Sequence, residues 1–237
     1  MSIVYLVPSV LDEEALETIP PYVLPAIENC NCFFVENERT TRRFFKSLWR
    51  AYRPGATFDV DRYRWITIAK DAAATEAALR AGIRNGETIG IVSEAGAPGV
   101  ADPGQRLVAI AHEMGAVIKP CIGPSSILLA LMASGLEGQR FEFHGYLPID
   151  EQERSKAIRE IEQASGKRQA TQIFIETPYR NNQLLDALLK NCKASTRVSI
   201  ACQLTSGEES IQTKTVQEWK RTVPDLHKKP AIFLLLA

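Results

Sequence analysis

Ser93-Glu94-Ala95-Gly96-Ala97-Pro98-Gly99-Val100-Ala101-Asp102-Pro103-Gly104 follows the apolar run Thr88 to Ser93 and precedes the amphipathic stretch Gln105 to Met114. Three glycines, two prolines and three alanines crowd into these 12 residues. Small side chains let a ligand approach the backbone closely. A loop at the carboxyl end of a parallel strand is where open α/β sheets bind ligands. The glycine spacing is neither the G-x-G-x-x-G of a dinucleotide fold nor a phosphate loop ending in Gly-Lys-Ser/Thr. The same composition also suits a long tight turn. The residues therefore indicate a strand–loop–helix unit with a ligand loop, and they leave the ligand open.

The flanking chain repeats the alternation. Ile3 to Val7 and Cys32 to Val35 are short apolar runs, the second ending on Glu36, and Ala116 to Pro120 is another. Between them, Leu11 to Ala26 reads as an irregular segment followed by a helix, and Thr57 to Asp61 as a short strand. Thr75 to Ala81, stopped by Gly82, and Thr40 to Trp49 read as helices. Strands alternating with helices predict a parallel α/β sheet. After Cys121 the pattern restarts. Helices are expected over Ser125 to Ser134, Glu151 to Gln163, Asn181 to Asn191 and Val216 to Lys220. Strands are expected over Phe141 to Tyr146, Gln172 to Glu176, Val198 to Leu204, Ser210 to Thr213 and Ala231 to Leu236. Two α/β domains follow, residues 1–121 and 122–237.

The 237 residues carry 28 Lys+Arg and 28 Asp+Glu, so any contact with nucleic acid must come from a local patch. No apolar run reaches the roughly 20 residues of a membrane span, and MSIVYLVPSV carries no basic lead or long apolar core of a signal peptide. The five cysteines are scattered and the three histidines form no ligand spacing, so no metal site is expected and a reducing cytoplasm fits.

Further stretches stand in a fixed order: FFVENERTTRRF (33–44), IVSEAGAPGVADPG (91–104), KPCIGPSS (119–126), GLEGQRFEFHGYLP (135–148) and FIETPYR (174–180). Together they resemble the ribosomal RNA ribose methyltransferases of the tetrapyrrole methylase superfamily. In that family the first segment reads as an acid followed by T-R-x-T-R, the third as P-x-P-G-P-[SC]-[SA] and the last as F-Y-E-[ST]-P-[HY]-R. The chain departs from the family at Val7-Pro8-Ser9-Val10-Leu11-Asp12, where the family has T-P-I-G-N-L-x-D, and at Ser206, where the family's E-L-T-K ends in lysine. The residues up to Ala237 contain no counterpart of the family's basic C-terminal extension.

The resemblance implies a parallel-sheet N-terminal domain, a mixed-sheet C-terminal domain and S-adenosylmethionine in a cleft between them. The matching donor positions are Ala95, Gly96, Ala97, Pro98, Val100 and Ala101, then Ser125 and Ser126, with Tyr146, Leu147, Pro230 and Ala231 completing the pocket. It further implies a homodimer acting on small-subunit ribosomal RNA. The apolar residues Phe44, Phe45, Leu48 and Trp49 offer an interface patch, with burial in the core as the alternative.

A ribose hydroxyl is a poor nucleophile and benefits from a nearby base. Glu36, Glu94, Asp102 and Glu176 each sit at or beyond an expected strand end, where loops converge. Among these, Glu36 and Glu176 are the catalytic candidates, with Arg180 to grip a phosphate. Arg39, Arg42 and Arg43 are further phosphate candidates. For each carboxylate the alternative is a structural role, capping a helix or pairing with an arginine. Two other functions stay open: methylation of a small molecule of tetrapyrrole type, and a non-catalytic module that binds the donor.

Overall fold

The computed structural model describes residues 1–68 and 72–237 and divides the chain into two compact units, Met1–Ser125 and Ser126–Ala237. The first unit is built on five parallel strands. β1 (Ile3–Val7), β2 (Cys32–Val35), β3 (Arg64–Thr67), β4 (Thr88–Val92) and β5 (Val117–Pro120) lie in the order β3-β2-β4-β1-β5. Val4, Phe34, Ile89 and Ile91 face one buried cluster, while Val7, Phe33, Val35 and Val92 face another. A parallel sheet covered on both faces needs such continuous apolar strands, which is why β2 and β4 show no polar alternation.

Helices α1 (Val23–Glu28), α2 (Glu38–Tyr52), α3 (Ala72–Arg84) and α4 (Gly104–Glu113) connect these strands. α2 starts where the Asn37 side chain accepts hydrogen bonds from the Arg39 and Thr40 amides, at 3.0 and 3.3 Å. Its Phe45, Leu48 and Trp49 are buried in the unit's own aromatic core, and Phe44 is partly buried. These residues therefore offer no interface patch. The helical period marked an apolar face, and that face meets Phe33, Phe58 and Trp65.

Gly90, at the centre of β4, makes room for this cluster: a Cβ there would lie 2.4 Å from the Phe33 ring. The strand expected over Thr57–Asp61 is displaced to β3. Asp59 accepts from the Asp61 amide at 3.1 Å and turns the chain into a short 3-10 segment, Val60–Arg62.

The second unit carries a mixed sheet. β6 (Phe141–Tyr146), β7 (Thr171–Ile175), β8 (Arg197–Cys202), β9 (Ser210–Thr215) and β10 (Ala231–Leu236) run in the order β6-β7-β10-β8-β9. Only the β6–β7 pair is parallel. α5 (Ser126–Ser134), α6 (Glu151–Arg168), α7 (Asn181–Asn191) and the short α8 (Val216–Trp219) complete the unit. α6 runs past the expected end at Gln163, with Gly166 inside its last turn. The helix stops only where Gln169 turns left-handed at φ 50°. Ile158, Phe174, Leu185, Leu188, Trp219 and Phe233 lie in its core.

Candidate functional site

The chain leaves β2 toward β3 and leaves β4 in the opposite direction toward β5, so the strand order reverses between β2 and β4. Open α/β sheets bind ligands outside the carboxyl ends of strands at such a reversal. Val35 and Val92 are paired in register there. The next residues, Glu36 and Ser93, begin the two facing loops.

One Glu36 oxygen accepts a hydrogen bond from the Glu94 amide at 2.9 Å. Partial burial pushes the Glu36 carboxyl above its ordinary range; the Glu94 amide opposes this, and the charges of Asp102 and Glu94 add to it. Among the described residues Glu36 has no cationic partner. Asp102 uses one oxygen for two amides, Gly99 and Gly104, both at 2.8 Å. Its carboxyl is also raised, by burial first, with these two amides pulling it down.

The loop after β4 is pinned to the end of β1. Ser9 and Gly96 exchange backbone hydrogen bonds of 3.0 and 3.1 Å. The Ser9 hydroxyl donates to the Ser93 carbonyl at 2.6 Å, and the Ser93 hydroxyl donates to the Gly96 carbonyl at 2.7 Å. Gly96 holds φ +71°, and a Cβ on it would lie 3.2 Å from the Pro124 carbonyl oxygen. This glycine therefore shapes the loop, with its own N–H and C=O already committed. By contrast, the amides of Ala95, Ala97 and Ala101 have no hydrogen-bond partner among the described residues. Ala101 keeps φ +58°, a left-handed conformation that alanine rarely adopts. Free amides beside small, exposed or half-exposed side chains fit a polar ligand read by backbone groups.

In the second unit, the sequence candidates gather at one end of the strands β6, β7 and β10. Tyr146 ends β6, Ile175 ends β7, and Ala231 starts β10, with Tyr146 and Ile232 both paired to Ile175. Leu147 and Ala231 are buried, whereas Tyr146 is 60% exposed. Glu176, just past β7, is buried. It accepts from the Thr177 amide and from the Arg180 guanidinium, each at 2.6 Å. Arg180 leads into α7 and keeps 30% of its side chain exposed. The Glu176 carboxylate beside it holds its guanidinium firmly charged. Asn181 then ties α7 to the Lys229 carbonyl at 2.6 Å, fixing the segment that leads into Pro230 and Ala231.

Residues 15–220 match the family described as Tetrapyrrole (Corrin/Porphyrin) Methylases. The chain belongs to this family. Its curated relatives include Ribosomal RNA small subunit methyltransferase I of Halalkalibacterium halodurans, 37% identical over 139 residues, which cover 57% of this chain and 46% of that protein. The protein of the same name from Vibrio cholerae is 28% identical over 216 residues, 91% of this chain and 69% of that protein. The chain spans about half the length of the first curated relatives it matches. Among solved structures, diphthine synthase shares the fold with a TM-score of 0.66 at 15% identity, covering 100% of this chain and 90% of that one.

For a tetrapyrrole methylase chain, the feature missed from sequence is the Ser9–Ser93–Gly96 clamp. Ser9 lies in the stretch that departs from the resemblance, so no motif flagged it, and its partner is 84 residues away. Among the described residues, no group of three or more His, Cys, Asp or Glu side chains is placed to hold a metal. No helix among them is long and apolar enough to cross a membrane. Burial pushes the Cys32 thiol up to about 11 and the Cys192 thiol up to about 12, which keeps both from acting as nucleophiles near neutral pH.

Proposed function

We propose that this chain is a cytoplasmic, homodimeric, S-adenosylmethionine-dependent methyltransferase acting on a ribose 2′-hydroxyl of small-subunit ribosomal RNA. The observation that carries the reading is the loop after β4, whose free amides at Ala95, Ala97 and Ala101 lie next to the carboxylates of Glu36 and Asp102, which have no cationic partner among the described residues. The names of the curated relatives supply the acceptor class.

The donor, when bound, supplies an already activated methyl group, so alignment is the main demand on the protein. The free loop amides and the small side chain of Ala97 receive it, Pro98 stiffens the loop, and Gly96 holds the loop's path. Ser125 of the first unit, and Ser126, Tyr146, Leu147, Pro230 and Ala231 of the second, are the further donor contacts that the family resemblance implies. Glu36 takes the proton of the attacking hydroxyl: its raised pKa makes it a better base than an ordinary carboxylate. On the second unit Arg180, held by Glu176, offers its guanidinium to a phosphate of the acceptor.

Isothermal titration tests the donor site. S-adenosylmethionine and S-adenosylhomocysteine are expected to bind one site per chain, and a folded Ala97→Trp variant to bind neither. Unchanged affinity in that variant sinks the assignment. Purified small subunits with labelled donor test the acceptor. Methylation of a tetrapyrrole with none on RNA would place the chain on the small-molecule branch, and donor binding without any transfer would make it a binding module. Sedimentation tests the dimer, which a single-chain mass at micromolar concentration rejects.

A further inference from the structure

One face of α2 is strongly cationic. Arg39, Arg43, Lys46 and Arg50 recur at spacings of four, three and four, which puts all four on one side of the helix. All four are exposed. Arg39, Lys46 and Arg50 have no ion-pair partner among the described residues, and Arg43 meets only the exposed Glu13. Arg42, off this face, is occupied by Glu38 at 2.8 Å and lies 5.1 Å over the Trp65 ring. At 1.5 Å per residue the ridge is about 16 Å long. In a chain whose charges sum to zero, it concentrates positive charge that, among the described residues, Glu13 alone offsets by an ion pair.

A cavity of about 260 Å³ opens beside this ridge, and Arg43 and Ser47 line both features. Its wall combines the apolar Val10, Leu11, Leu16 and Phe44 with the hydroxyls of Thr40 and Ser47. Its far side is formed by Ser93, Glu94 and Ala95, the start of the loop described above. A flat, partly apolar group with polar edges suits such a wall, and a chain of phosphates suits the ridge. An acidic peptide would use the ridge and leave the cavity without an occupant.

We propose that the ridge of α2 carries the phosphates of a single RNA strand while the adjoining cavity admits one unstacked base, so that this face of the first unit is the acceptor-strand subsite. The inference rests on the proposed RNA function and adds to it where, and in which form, the RNA is held. A paired base is hidden within a duplex, so the subsite selects single-stranded or extruded nucleotides. Glu13 competes with phosphate for Arg43 through an exposed pair of little intrinsic strength.

The test measures binding of the full chain to a fluorescein-labelled single-stranded RNA of about 12 nucleotides across a salt series, by anisotropy. Four phosphate contacts predict a slope of log K against log salt near −2.8, about −0.7 per contact on a single strand. Replacing Lys46 and Arg50 together with alanine is expected to reduce the slope by about 1.4 while leaving affinity for S-adenosylhomocysteine unchanged. Glu13→Gln is expected to strengthen RNA binding severalfold. Ser47→Trp, which fills the cavity, should keep the slope and abolish the preference for single strand over duplex.

A slope unchanged in the doubly substituted chain overturns the proposal, as does equal affinity of the wild type for single strand and duplex. Methylation of small subunits reads the functional proposal separately. Normal methylation with an unchanged slope would sink the subsite alone. The expected slopes in a chain that methylates no RNA would support the subsite and sink the reaction.

Discussion

Glu36 and Glu176 both stand one residue beyond the last residue of a strand, β2 and β7, and the two units treat them in opposite ways. Glu176 is buried, takes a guanidinium and an amide, and is locked. Glu36 is half-buried, takes a single amide, faces other carboxylates and titrates above its ordinary range. The same residue at equivalent places thus serves as a brace in one unit and as a chemically available group in the other. Proximity to a strand end does not separate these roles; the presence or absence of a cation within reach does.

The largest expected effect breaks this comparison at Glu36. Glu36→Gln keeps an oxygen for the Glu94 amide and removes the charge. The rate of methyl transfer to RNA is expected to fall about 10²–10⁴-fold at saturating donor, with donor affinity preserved. In the wild type the rate should rise with pH through the raised pKa of Glu36, and in the variant that rise should vanish. Stability should move the other way. Because the folded-state pKa lies above the ordinary 4.5, the contribution linked to this proton is complete below about pH 4.5 and is lost as pH rises through the folded value. At neutral pH the amide therefore melts no lower than the wild type. A rate within a few fold of wild type would remove Glu36 from the chemistry.

Next comes Asp102, the other carboxylate of the cluster. It spends its charge on the Gly99 and Gly104 amides, so Asp102→Ala releases both ends of the loop. Donor affinity is expected to drop about tenfold and stability by about 1–2 kcal/mol, the range of a lost cap. Asp102→Asn retains an acceptor and should recover most of both. Titration calorimetry and urea unfolding measure the pair, and an alanine variant with undiminished donor affinity would show that the loop does not need its pin.

Smaller again is the effect at the brace. Glu176→Gln leaves Arg180 without its counter-charge and should lower the melting temperature by roughly 2–4 °C, the shift that about 1 kcal/mol produces in a chain of this length. This is the reverse of the response predicted for Glu36→Gln. Two isosteric swaps of opposite sign are the sharpest statement of the difference between the units. If both variants melt alike, the distinction between brace and available group fails.

Much of this contrast was visible in the sequence, and the missing parts have physical reasons. The apolar runs of β4 and β10 and the body of α2 could be read because each depends on local pattern, whereas α2, expected from Thr40, begins at Glu38 behind the Asn37 cap. β3 was displaced because its four residues lie at a sheet edge with only Trp65 and Ile66 half-buried, a weak signal next to the Asp59 turn. The aromatic face of α2 was evident as a face, but its destination was not, since period carries no information about which surface covers it. The candidate carboxylates are legible from their places at strand ends, but their roles are not, because a pair such as Glu176 and Arg180 forms only once the chain turns after β7. The Ser9 clamp was invisible for the same reason over a longer range.

The smallest expected effect separates two left-handed glycines. Gly96 at φ +71° and Gly135 at φ +66° impose the same backbone penalty on any side chain. A Cβ at Gly135, which closes α5, meets nothing within 4 Å, so Gly135→Ala should cost only that penalty, about 1 kcal/mol. A Cβ at Gly96 lies 3.2 Å from the Pro124 oxygen and 3.3 Å from the Leu11 side chain, so the loop itself must shift by a few tenths of an ångström. Gly96→Ala should therefore lose a similar amount of stability and, in addition, weaken donor binding severalfold, because the free amides of Ala95 and Ala97 move with it. Urea unfolding of both variants calibrates the shared penalty, and calorimetric titration with S-adenosylhomocysteine isolates the part due to the loop. Equal donor affinity in the two variants would mean that the path of the loop at Gly96 is not what the ligand reads, and the donor contact would then have to be sought beyond Pro98, toward Val100 and Ala101.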